Sequence, residues 1–514
     1  MTKTYKILFT AIAMAIAAPL SHAQTSLEAI DLEYGEYNVG FRHYTAIDST
    51  RTYRTHNEFN NRFIYRPIPI SIWYPAQAQP SNKEPLVVLD YLQVLKEEEE
   101  WENLPNEFLM DWFPYLWNTP ENNAHLPEKA LAFAEATPLS GQYPVIVYAP
   151  SYQASSMENF ALCEYLASNG YVVISSPSRG TNTRWLEGAS VKDMETQSRD
   201  FEFLLREIHQ YPFINTDQIG LMGFSFGGLS NALTAMKNQP IDVVVSLDGT
   251  ERYNYEVLSK SAYFDLDRFD MPYVHFAQKN IPQEVMTAEN LPDRLNSEFQ
   301  LFDSLDYSQV HSYKFHDLTH SYFSSFGVLF ANRDKRQDKS DDLIMKSYKI
   351  LCEHALQYLN AFLKKDPGSD QFISNTPDQN GFPPTLLTLK TKKAQTKAFD
   401  YQDFNDLARQ QQYENLIPLY KKTLQEYPDL QLQEGMLNTL GLRLSFDPKE
   451  GQKGINVFQL AVHIYPQSAN LYDSMAEAYL MQKDSKNAVK YFRKSLELNP
   501  DNQNAIVKLK QLGE

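Results

Sequence analysis

Between residues 144 and 365, short apolar runs alternate with stretches whose apolar residues recur at helical spacing. Short apolar runs are typical of strands buried on both faces, and the longer amphipathic stretches are typical of helices. This alternation predicts an α/β fold with a mostly parallel sheet covered by helices. The predicted strands are 144–148, 171–175, 219–222, 241–247, 271–277 and 310–315. The predicted helices are 160–169, 194–209, 226–237 and 341–365.

The part of the chain before residue 144 is less regular. Residues 34–44 and 69–74 have strand character and predict an antiparallel start to the sheet, with a polar connection between them. Residues 93–142 follow as a possible cap or insertion. They include a run of glutamates, 97–100, which we interpret as a solvated helix face.

The possible cap is rich in aromatic residues. These are Trp101, Phe108, Trp112, Phe113, Tyr115 and Trp117. Such a cluster belongs either to the hydrophobic core or to a cover that grips an apolar group of a substrate. In the second interpretation, Trp112 and Trp117 would bind substrate together with Tyr322, which lies in an aromatic segment further along the chain.

The chain changes character near residue 370. Residues 371–398 carry Pro, Gly, Asn, Asp and Thr without periodicity and predict a linker, whereas residues 399–514 predict helices only. Residues 469–500 resemble a tetratricopeptide repeat, and weaker matches begin near residue 400. The resemblance implies a concave surface for a protein or peptide partner. A tail that packs on the first domain or mediates dimers is the equal alternative.

The first 23 residues have the composition of a secretory signal. Lys3 and Lys6 precede a short apolar run, and Ser21-His22-Ala23 offers small residues at the cleavage positions. A membrane span needs about 20 apolar residues, which neither this run nor any later stretch of the sequence supplies. We therefore expect cleavage after Ala23, a periplasmic or secreted protein, and no transmembrane segment in the mature chain.

Charge and cysteine content narrow the classes of partner. The net charge of −17 argues against a nucleic-acid partner, whose binding needs a basic face. Cys163 and Cys352 each lie in a predicted helix, and we interpret both as buried free thiols, although pairing stays open. The sequence has no Cys/His cluster with metal-site spacing, so neither a metal nor an organic cofactor is predicted.

The sequence GFSFGG, residues 223–228, lies between a predicted strand and a predicted helix. This is the pattern of a nucleophile elbow, in which an apex serine adopts a strained backbone conformation and small flanking residues make room for neighbouring elements. The N–H groups that begin the following helix favour negative charge near the serine. We therefore predict that Ser225 is a catalytic nucleophile rather than a helix-capping serine.

A nucleophilic serine needs a histidine to take its proton and a carboxylate to orient that histidine. His320 follows the last predicted strand, in the position of a general base, whereas His311 and His316 lie at the ends of that strand and suit structural roles. Asp248 closes the strand after the elbow, and the next strand ends without a carboxylate, so Asp248 is the predicted acid. The weaker alternatives are Asp303, Asp306 and Asp317.

Several segments resemble the platelet-activating-factor acetylhydrolase group of α/β-hydrolases, with dienelactone hydrolases as more distant relatives. In the family's order they are GEYNVGFRHY, PISIWYPAQ, PVIVYAPSYQASS, YLASNGYVVISSPSRG, RDFEFLL, GFSFGG, VVVSLDGT and LTHSYF, within about residues 35–325. The resemblance implies an α/β-hydrolase domain over residues 24–370, followed by the all-helical repeat domain. It also implies the roles of nucleophile, acid and base for Ser225, Asp248 and His320.

The chain departs from this family after the predicted strand 144–148. The family usually carries His-Gly there, and this chain carries Pro150-Ser151. The resemblance implies that the backbone N–H groups of Tyr152 and Phe226 bind the oxyanion. Because backbone donors do not depend on side-chain identity, such a site can survive the replacement.

Together these features predict a secreted serine hydrolase that cleaves carboxylic esters of a small-molecule or lipid-like substrate. One alternative is a peptidase or an acyltransferase that uses the same three residues. Another is a repeat-bearing binding protein whose hydrolase domain is not catalytic. The intact serine, aspartate and histidine argue against the last alternative, and the missing His-Gly argues weakly for it.

Overall fold

The structure is a computed structural model that describes residues 25–56, 61–79, 82–98, 103–113, 116–237, 240–330, 332–447 and 449–514. The chain forms two compact units, Met1–Gln395 and Thr396–Glu514. The predicted signal segment lies outside the described residues, and so do Trp101 and Tyr115. Within the described stretches, no helix combines the length and the apolar character needed to cross a bilayer.

The described residues of the first unit contain ten strands. These are β1 (Asn38–His56), β2 (Asn61–Ala76), β3 (Phe133–Ala134), β4 (Tyr143–Ala149), β5 (Val172–Ser175), β6 (Ile214–Phe224), β7 (Val243–Leu247), β8 (Tyr273–Ala277), β9 (Val310–Phe315) and β10 (Leu387–Lys392). They form one sheet in the order β10-β9-β8-β7-β6-β4-β5-β2-β1-β3. The strands from β4 to β9 are parallel to one another, and each corresponds to one predicted apolar run. The prediction of a mostly parallel sheet is confirmed.

Helices cover both faces of this sheet. Val145 and Val147 of β4 belong to one hydrophobic cluster and Ile146 and Tyr148 to another, because successive side chains of a strand point to opposite faces. This arrangement is that of an α/β-hydrolase fold. The helices are α1 (Leu27–Ile30), α2 (Val88–Glu98), α3 (Leu109–Trp112), α4 (Pro120–Asn123), α5 (Phe160–Ser168), α6 (Val191–Glu207), α7 (Phe226–Met236), α8 (Tyr255–Ser259), α9 (Gln283–Ala288), α10 (Gln300–Ser304), α11 (Ser325–Leu329), α12 (Asp341–Leu359) and α13 (Pro367–Ser374). Helices α6 and α7 pack on one face, and α5 and α12 pack on the other.

Strands β1 and β2 form an antiparallel hairpin that is much longer than predicted. Residues 45–56 and 61–68, which belong to the predicted polar connection, extend both strands instead. Arg66 is 1% exposed, and its guanidinium donates to the carboxylate of Asp200 on α6, with Nε 2.9 Å from Oδ1. The prediction of a connection is wrong, because this charged pair buries polar side chains that the sequence pattern places in solvent.

The glutamate run at the end of α2 is divided between solvent and core. Glu97 is exposed, with 64% of its side chain accessible, and agrees with the predicted solvated face. Glu98 is fully buried and accepts hydrogen bonds from the backbone N–H and the hydroxyl of Ser156. The prediction is therefore wrong for Glu98, and residues 99–100 lie outside the described part of the chain.

The segment 371–398, predicted as a linker, belongs largely to the first unit. Strand β10 pairs antiparallel with β9 along its whole length, with Leu387 opposite Phe315. Leu387 is buried, whereas most later residues of β10 are exposed or half-buried, as expected for an edge strand. That polar outer row resembles a linker in sequence. The linker prediction is wrong through Lys392, and the two units divide after Gln395.

The second unit is helical in all of its described regular elements. Gly441 lies so close to Phe458 that a Cβ there would stand 2.8 Å from the ring, so small residues allow the helices to pack closely. The cluster around these helices includes Leu437, Leu471 and Met475. The helices are α14 (Tyr401–Gln410), α15 (Leu416–Glu426), α16 (Glu434–Phe446), α17 (Gly451–Ile464), α18 (Ala469–Met481), α19 (Ser485–Leu498) and α20 (Gln503–Gln511).

Candidate active site

Ser225 occupies the turn between β6 and α7. Its φ of 54° and ψ of −120° place a non-glycine residue in a strained backbone region, which is how an elbow presents the serine hydroxyl. The turn has no room for larger neighbours. A Cβ on Gly227 would lie 2.1 Å from the carbonyl oxygen of Ala149, and a Cβ on Gly223 would lie 2.6 Å from the backbone of Gly227. The glycines therefore allow the elbow to pack against the end of β4.

His320 begins a short 3₁₀ helix, His320–Phe323, beyond the end of β9. Its Nε2 lies 2.9 Å from Oγ of Ser225. The backbone N–H of His320 donates to Oε1 of Gln278, and the ring of Phe224 lies beside the imidazole with 5.1 Å between centroids. These contacts hold the imidazole against the serine hydroxyl, although β9 and the elbow are far apart in sequence.

Asp248 follows β7 and is fully buried. The Nδ1–H of His320 donates to Oδ2 of Asp248 at 2.6 Å, while Oδ1 accepts from the hydroxyl of Tyr253 and the backbone N–H of Gln278. Burial alone would raise the pKa of Asp248, but the hydrogen bond from His320 and the charges of His320 and His275 hold that pKa below its usual value. The carboxylate is therefore kept ionised where it can stabilise a charged His320.

The rejected candidates for acid and base lie elsewhere in the first unit. Nδ1 of His311 faces the hydroxyl of Tyr358, and Nε2 of His316 faces the hydroxyl of Thr388. Among the alternative acids, Asp306 pairs with Lys392, Asp317 accepts from Ser347, and the backbone carbonyl of Asp303 accepts from Lys392. The structure brings only Asp248 of these described carboxylates into hydrogen-bond contact with His320.

A cavity of about 190 Å³ opens in front of Ser225 and His320. Its walls combine aromatic and apolar residues, which include Leu116, Phe224, Tyr322, Phe326 and Phe330, with polar residues of the loops around Ser225 and His320. Tyr322, a predicted substrate-binding residue, thus lines the cavity. Its hydroxyl donates to Asp338, which fixes the ring in the wall.

The other two predicted substrate-binding residues are not part of the described cavity lining. Trp112 is 48% exposed and Trp117 is 58% exposed. Between them in sequence, Phe113 packs into the core against Phe326, and Leu116 reaches the cavity. The short helix α3 directs its apolar residues inward and leaves Trp112 on the outer side, so substrate binding by the two tryptophans stays a prediction.

The two predicted oxyanion donors flank the elbow. Phe226 is the first residue of α7, and Tyr152 lines the cavity on the loop after β4. Among the hydrogen bonds of the described residues, none uses the backbone N–H of either residue. Both groups are thus available to a ligand.

Glu158 is a cavity residue that the sequence patterns did not single out. It lies on the same loop as Tyr152, is 7% exposed, and lines the cavity with Ser151. Both of its carboxylate oxygens accept hydrogen bonds from Ser151. A glutamate within a run of small polar residues belongs to no catalytic motif, and so only the folded geometry shows it.

Asp248 also has a buried histidine neighbour, His275, which is paired with Glu251. Nε2 of His275 is 4.0 Å from Oδ1 of Asp248, and Nδ1 of His275 is 3.1 Å from Oε1 of Glu251. All three side chains are fully buried. In the sequence, His275 is marked only by its place inside an apolar strand. The imidazole of His275 thus lies next to Oδ1 of Asp248, whereas His320 contacts Oδ2.

Two family models match parts of the chain. The prolyl oligopeptidase family matches residues 158–273, which include Ser225 and Asp248, and the tetratricopeptide repeat matches residues 469–502. The match and the fold support, at a coarse level, a serine hydrolase with an α/β-hydrolase domain. The C-terminal repeat resemblance is confirmed. No curated protein matches the chain in sequence.

Among solved structures, the chain is similar to a ferulic acid esterase from Streptomyces cinnamoneus. The sequences are 16% identical, and the alignment covers 70% of this chain and 97% of the esterase chain with a TM-score of 0.46.

Proposed function

We propose that this chain is a serine hydrolase that cleaves carboxylic esters. The observation that carries the proposal is the continuous set of contacts from Asp248 through His320 to Ser225. The contact distances are 2.6 Å and 2.9 Å, and the serine stands on a strained elbow. This is the geometry that a serine nucleophile, its general base and an orienting acid require.

In the proposed mechanism, Oγ of Ser225 attacks the acyl carbonyl and its proton passes to Nε2 of His320. His320 then gives that proton to the departing alcohol, which leaves an acyl group on Ser225. Water attacks the acyl group and loses a proton to Nε2 of His320, which passes that proton to Oγ of Ser225 as the bond to the acyl carbon breaks and the carboxylic acid is released. Asp248 fixes the imidazole tautomer and stabilises the imidazolium. The N–H groups of Tyr152 and Phe226 would bind the oxyanion.

The cavity favours esters with a small, uncharged acyl group. Its volume of about 190 Å³ is below the range of drug-sized ligand pockets, and aromatic and apolar side chains form much of its wall. No lysine or arginine occurs among its described lining residues, so a carboxylate on the substrate would find no counter-ion there. A short acyl chain or a small ring fits this description better than a long lipid chain.

Peptide hydrolysis is the second candidate, because the matching family model is that of the prolyl oligopeptidases and spans Ser225 and Asp248. The same triad can cleave an amide if the leaving amine is protonated by His320. Transfer of the acyl group to another alcohol or amine would need only a different acceptor. Esters and amides of one acyl group therefore separate these candidates directly.

The test is release of p-nitrophenol from acetyl, butyryl and octanoyl esters, beside release of p-nitroaniline from acyl and prolyl anilides. We expect fastest turnover of the short esters and a loss of at least about 10³-fold in Ser225→Ala. A folded wild type that hydrolyses none of these esters would contradict the proposal. Faster anilide than ester turnover would establish the peptidase.

We further propose export of the protein through its N-terminal segment and recognition of a protein or peptide by the C-terminal helices. The signal-like composition of residues 1–23 supports the first proposal. The tetratricopeptide match to residues 469–502 supports the second. N-terminal sequencing of the expressed protein, with cleavage after Ala23 as the expected result, tests export.

A further inference from the structure

The loop after β4 is held in place by a buried carboxylate of its own. Oε2 of Glu158 accepts the backbone N–H of Ser151 at 2.8 Å, and Oε1 accepts the hydroxyl of Ser151 at 2.5 Å. One carboxylate thus grips both the backbone and the side chain of a single residue. Such a two-point contact fixes both the peptide plane that contains the Ser151 N–H and the side chain of Ser151.

Ser151 immediately precedes Tyr152, whose N–H group is free of protein acceptors among the described residues and whose side chain lines the cavity. We propose that Glu158 is a positioning residue that, in its ionised form, holds Ser151 so that the Tyr152 N–H faces the developing oxyanion. The inference rests on the proposed function. Glu158 thus binds Ser151, which lies where the family named in the sequence analysis usually carries His-Gly.

The charge state of Glu158 is sensitive to pH near neutrality. Burial raises the pKa of Glu158 to about 7, although the Ser151 hydroxyl, the Ser151 N–H and the positive charge of protonated His320 each lower it. A second ionisable group near Glu158 is Tyr148 of β4, whose pKa is raised by its own burial and by the charge of Glu158. From the segment at α11, the backbone N–H of Phe326 donates to the backbone carbonyl of Glu158.

Protonation of Glu158 weakens the grip on Ser151, because a carboxylic acid accepts less strongly than a carboxylate. Nucleophilic attack also needs His320 unprotonated. Two deprotonations therefore precede full reactivity, and below neutrality the logarithm of the rate should rise with pH at a slope approaching 2. A single controlling group would give a slope of 1.

The experiment measures the rate at which a fluorophosphonate reacts with Ser225 in the full mature chain, between pH 5 and 8.5. This reagent probes nucleophile and oxyanion site without needing a preferred ester. We expect a slope near 2 in the wild type and near 1 in Glu158→Gln, whose maximal rate should fall about 10-fold to 100-fold. In Glu158→Gln, the carboxamide oxygen can accept from one of the two Ser151 donors, but the other donor faces the NH₂ group, which cannot accept.

Glu164→Gln is the matched control. Glu164 is also buried, has its pKa raised by burial to about 7, and accepts backbone N–H groups, but at Leu131 and Ala132, away from the cavity lining. It should keep the wild-type slope and maximal rate. Ser151→Ala removes only the hydroxyl donor, which lowers the pKa of Glu158. In this variant the loss of labelling rate on the acid side should therefore begin at a higher pH.

A wild-type slope of 1, or equal effects of Glu158→Gln and Glu164→Gln, would overturn the role of Glu158. The wild-type profile alone decides the matter if Glu158→Gln fails to fold. Rapid labelling with a slope of 2 but without turnover of any ester would contradict the proposed substrate class and leave the role of Glu158 supported. A folded wild type that does not react would overturn both.

Discussion

The elbow at Ser225 and the loop after β4 lie on two sides of one cavity, but different forces shape them. The elbow is a local structure. Its conformation depends on the φ of 54° at Ser225 and on the absence of side chains at Gly223 and Gly227. The residues that give the turn its shape are close together in sequence, and the neighbouring strand β4 limits them through backbone contact at Ala149.

The loop after β4 depends on buried carboxylates instead. Glu158 holds Ser151 at its start, and Glu98, from the end of α2, accepts from Ser156 further along. Burial raises the pKa of Glu98 to about 7, as it does the pKa of Glu158. Changes in the elbow should therefore act as all-or-none steric effects, whereas changes in the loop should be graded and dependent on pH.

The largest effect is expected from Gly227→Ala. The new methyl group would lie 2.1 Å from the carbonyl oxygen of Ala149, and backbone atoms cannot move aside cheaply. We expect loss of esterase activity by more than about 10⁴-fold, because misplacing Ser225 removes the nucleophile, or a failure to fold. Gly435→Ala, in α16, is the control, because nothing lies within 4 Å of its added Cβ. Normal activity in Gly227→Ala would refute the steric account of the elbow.

Asp248→Asn comes next. An amide keeps the shape but no longer selects the right imidazole tautomer or stabilises its charged form, so kcat should fall about 10³-fold to 10⁴-fold. Steady-state kinetics on a short p-nitrophenyl ester measures this, with KM changing much less. Asp317→Asn, a carboxylate bonded to Ser347, should retain activity within about three-fold. A larger loss in Asp317→Asn than in Asp248→Asn would reverse the assignment of the acid.

Glu98→Gln tests the far end of the loop and should act more mildly. The carboxamide can still accept one hydrogen bond from Ser156, and Glu98 is not among the described residues that line the cavity. We expect activity to fall by about 3-fold to 10-fold at pH 7, corresponding to about 1 kcal/mol of lost positioning. An effect equal to that of Asp248→Asn would show that the loop is no more tolerant than the elbow.

The smallest effect concerns stability and pH at Glu164. Burial raises the pKa of the Glu164 carboxyl to about 7, above the ordinary 4.5. Between these two pH values the folded protein keeps the carboxyl proton, whereas the unfolded chain has lost it. This contribution to stability is complete below about pH 4.5 and is lost as the pH rises through about 7. In Glu164→Gln, the free energy of unfolding relative to wild type should therefore increase with pH, by at most about 1.4 kcal/mol per pH unit.

Urea unfolding at pH 5 and pH 7 measures this difference. All five tryptophans lie between residues 73 and 185, so their fluorescence reports the first unit and not the tail. Equal pH dependence in wild type and variant would mean that Glu164 is ionised at both pH values.

Much of the fold could be predicted, because most of the central strands are continuous apolar runs. The elbow could be predicted for a related reason, since its tight turn requires small residues at fixed positions on both sides of the serine. His320 and Asp248 could be selected by chain order alone. In the structure, His320 contacts Asp248 through Nδ1 and Ser225 through Nε2.

Several of the errors concern polar residues whose structure depends on their partners in the folded chain. Arg66 in the β1–β2 hairpin is neutralised by Asp200, more than a hundred residues later. Glu98 and Glu158 are buried with serine partners that no periodicity marks. Strand β10 is polar because it is an edge strand. In each case the partner, and not the residue, decides the structure.

The most direct test of the catalytic assignment is to locate the covalent adduct after fluorophosphonate treatment by peptide mass spectrometry. We expect one adduct, on the peptide that contains Ser225, and none in Ser225→Ala. His320→Ala should slow its formation strongly, because the hydroxyl loses the base that lies 2.9 Å away. An adduct on a different serine, or none in the folded wild type, would contradict Ser225 as the nucleophile.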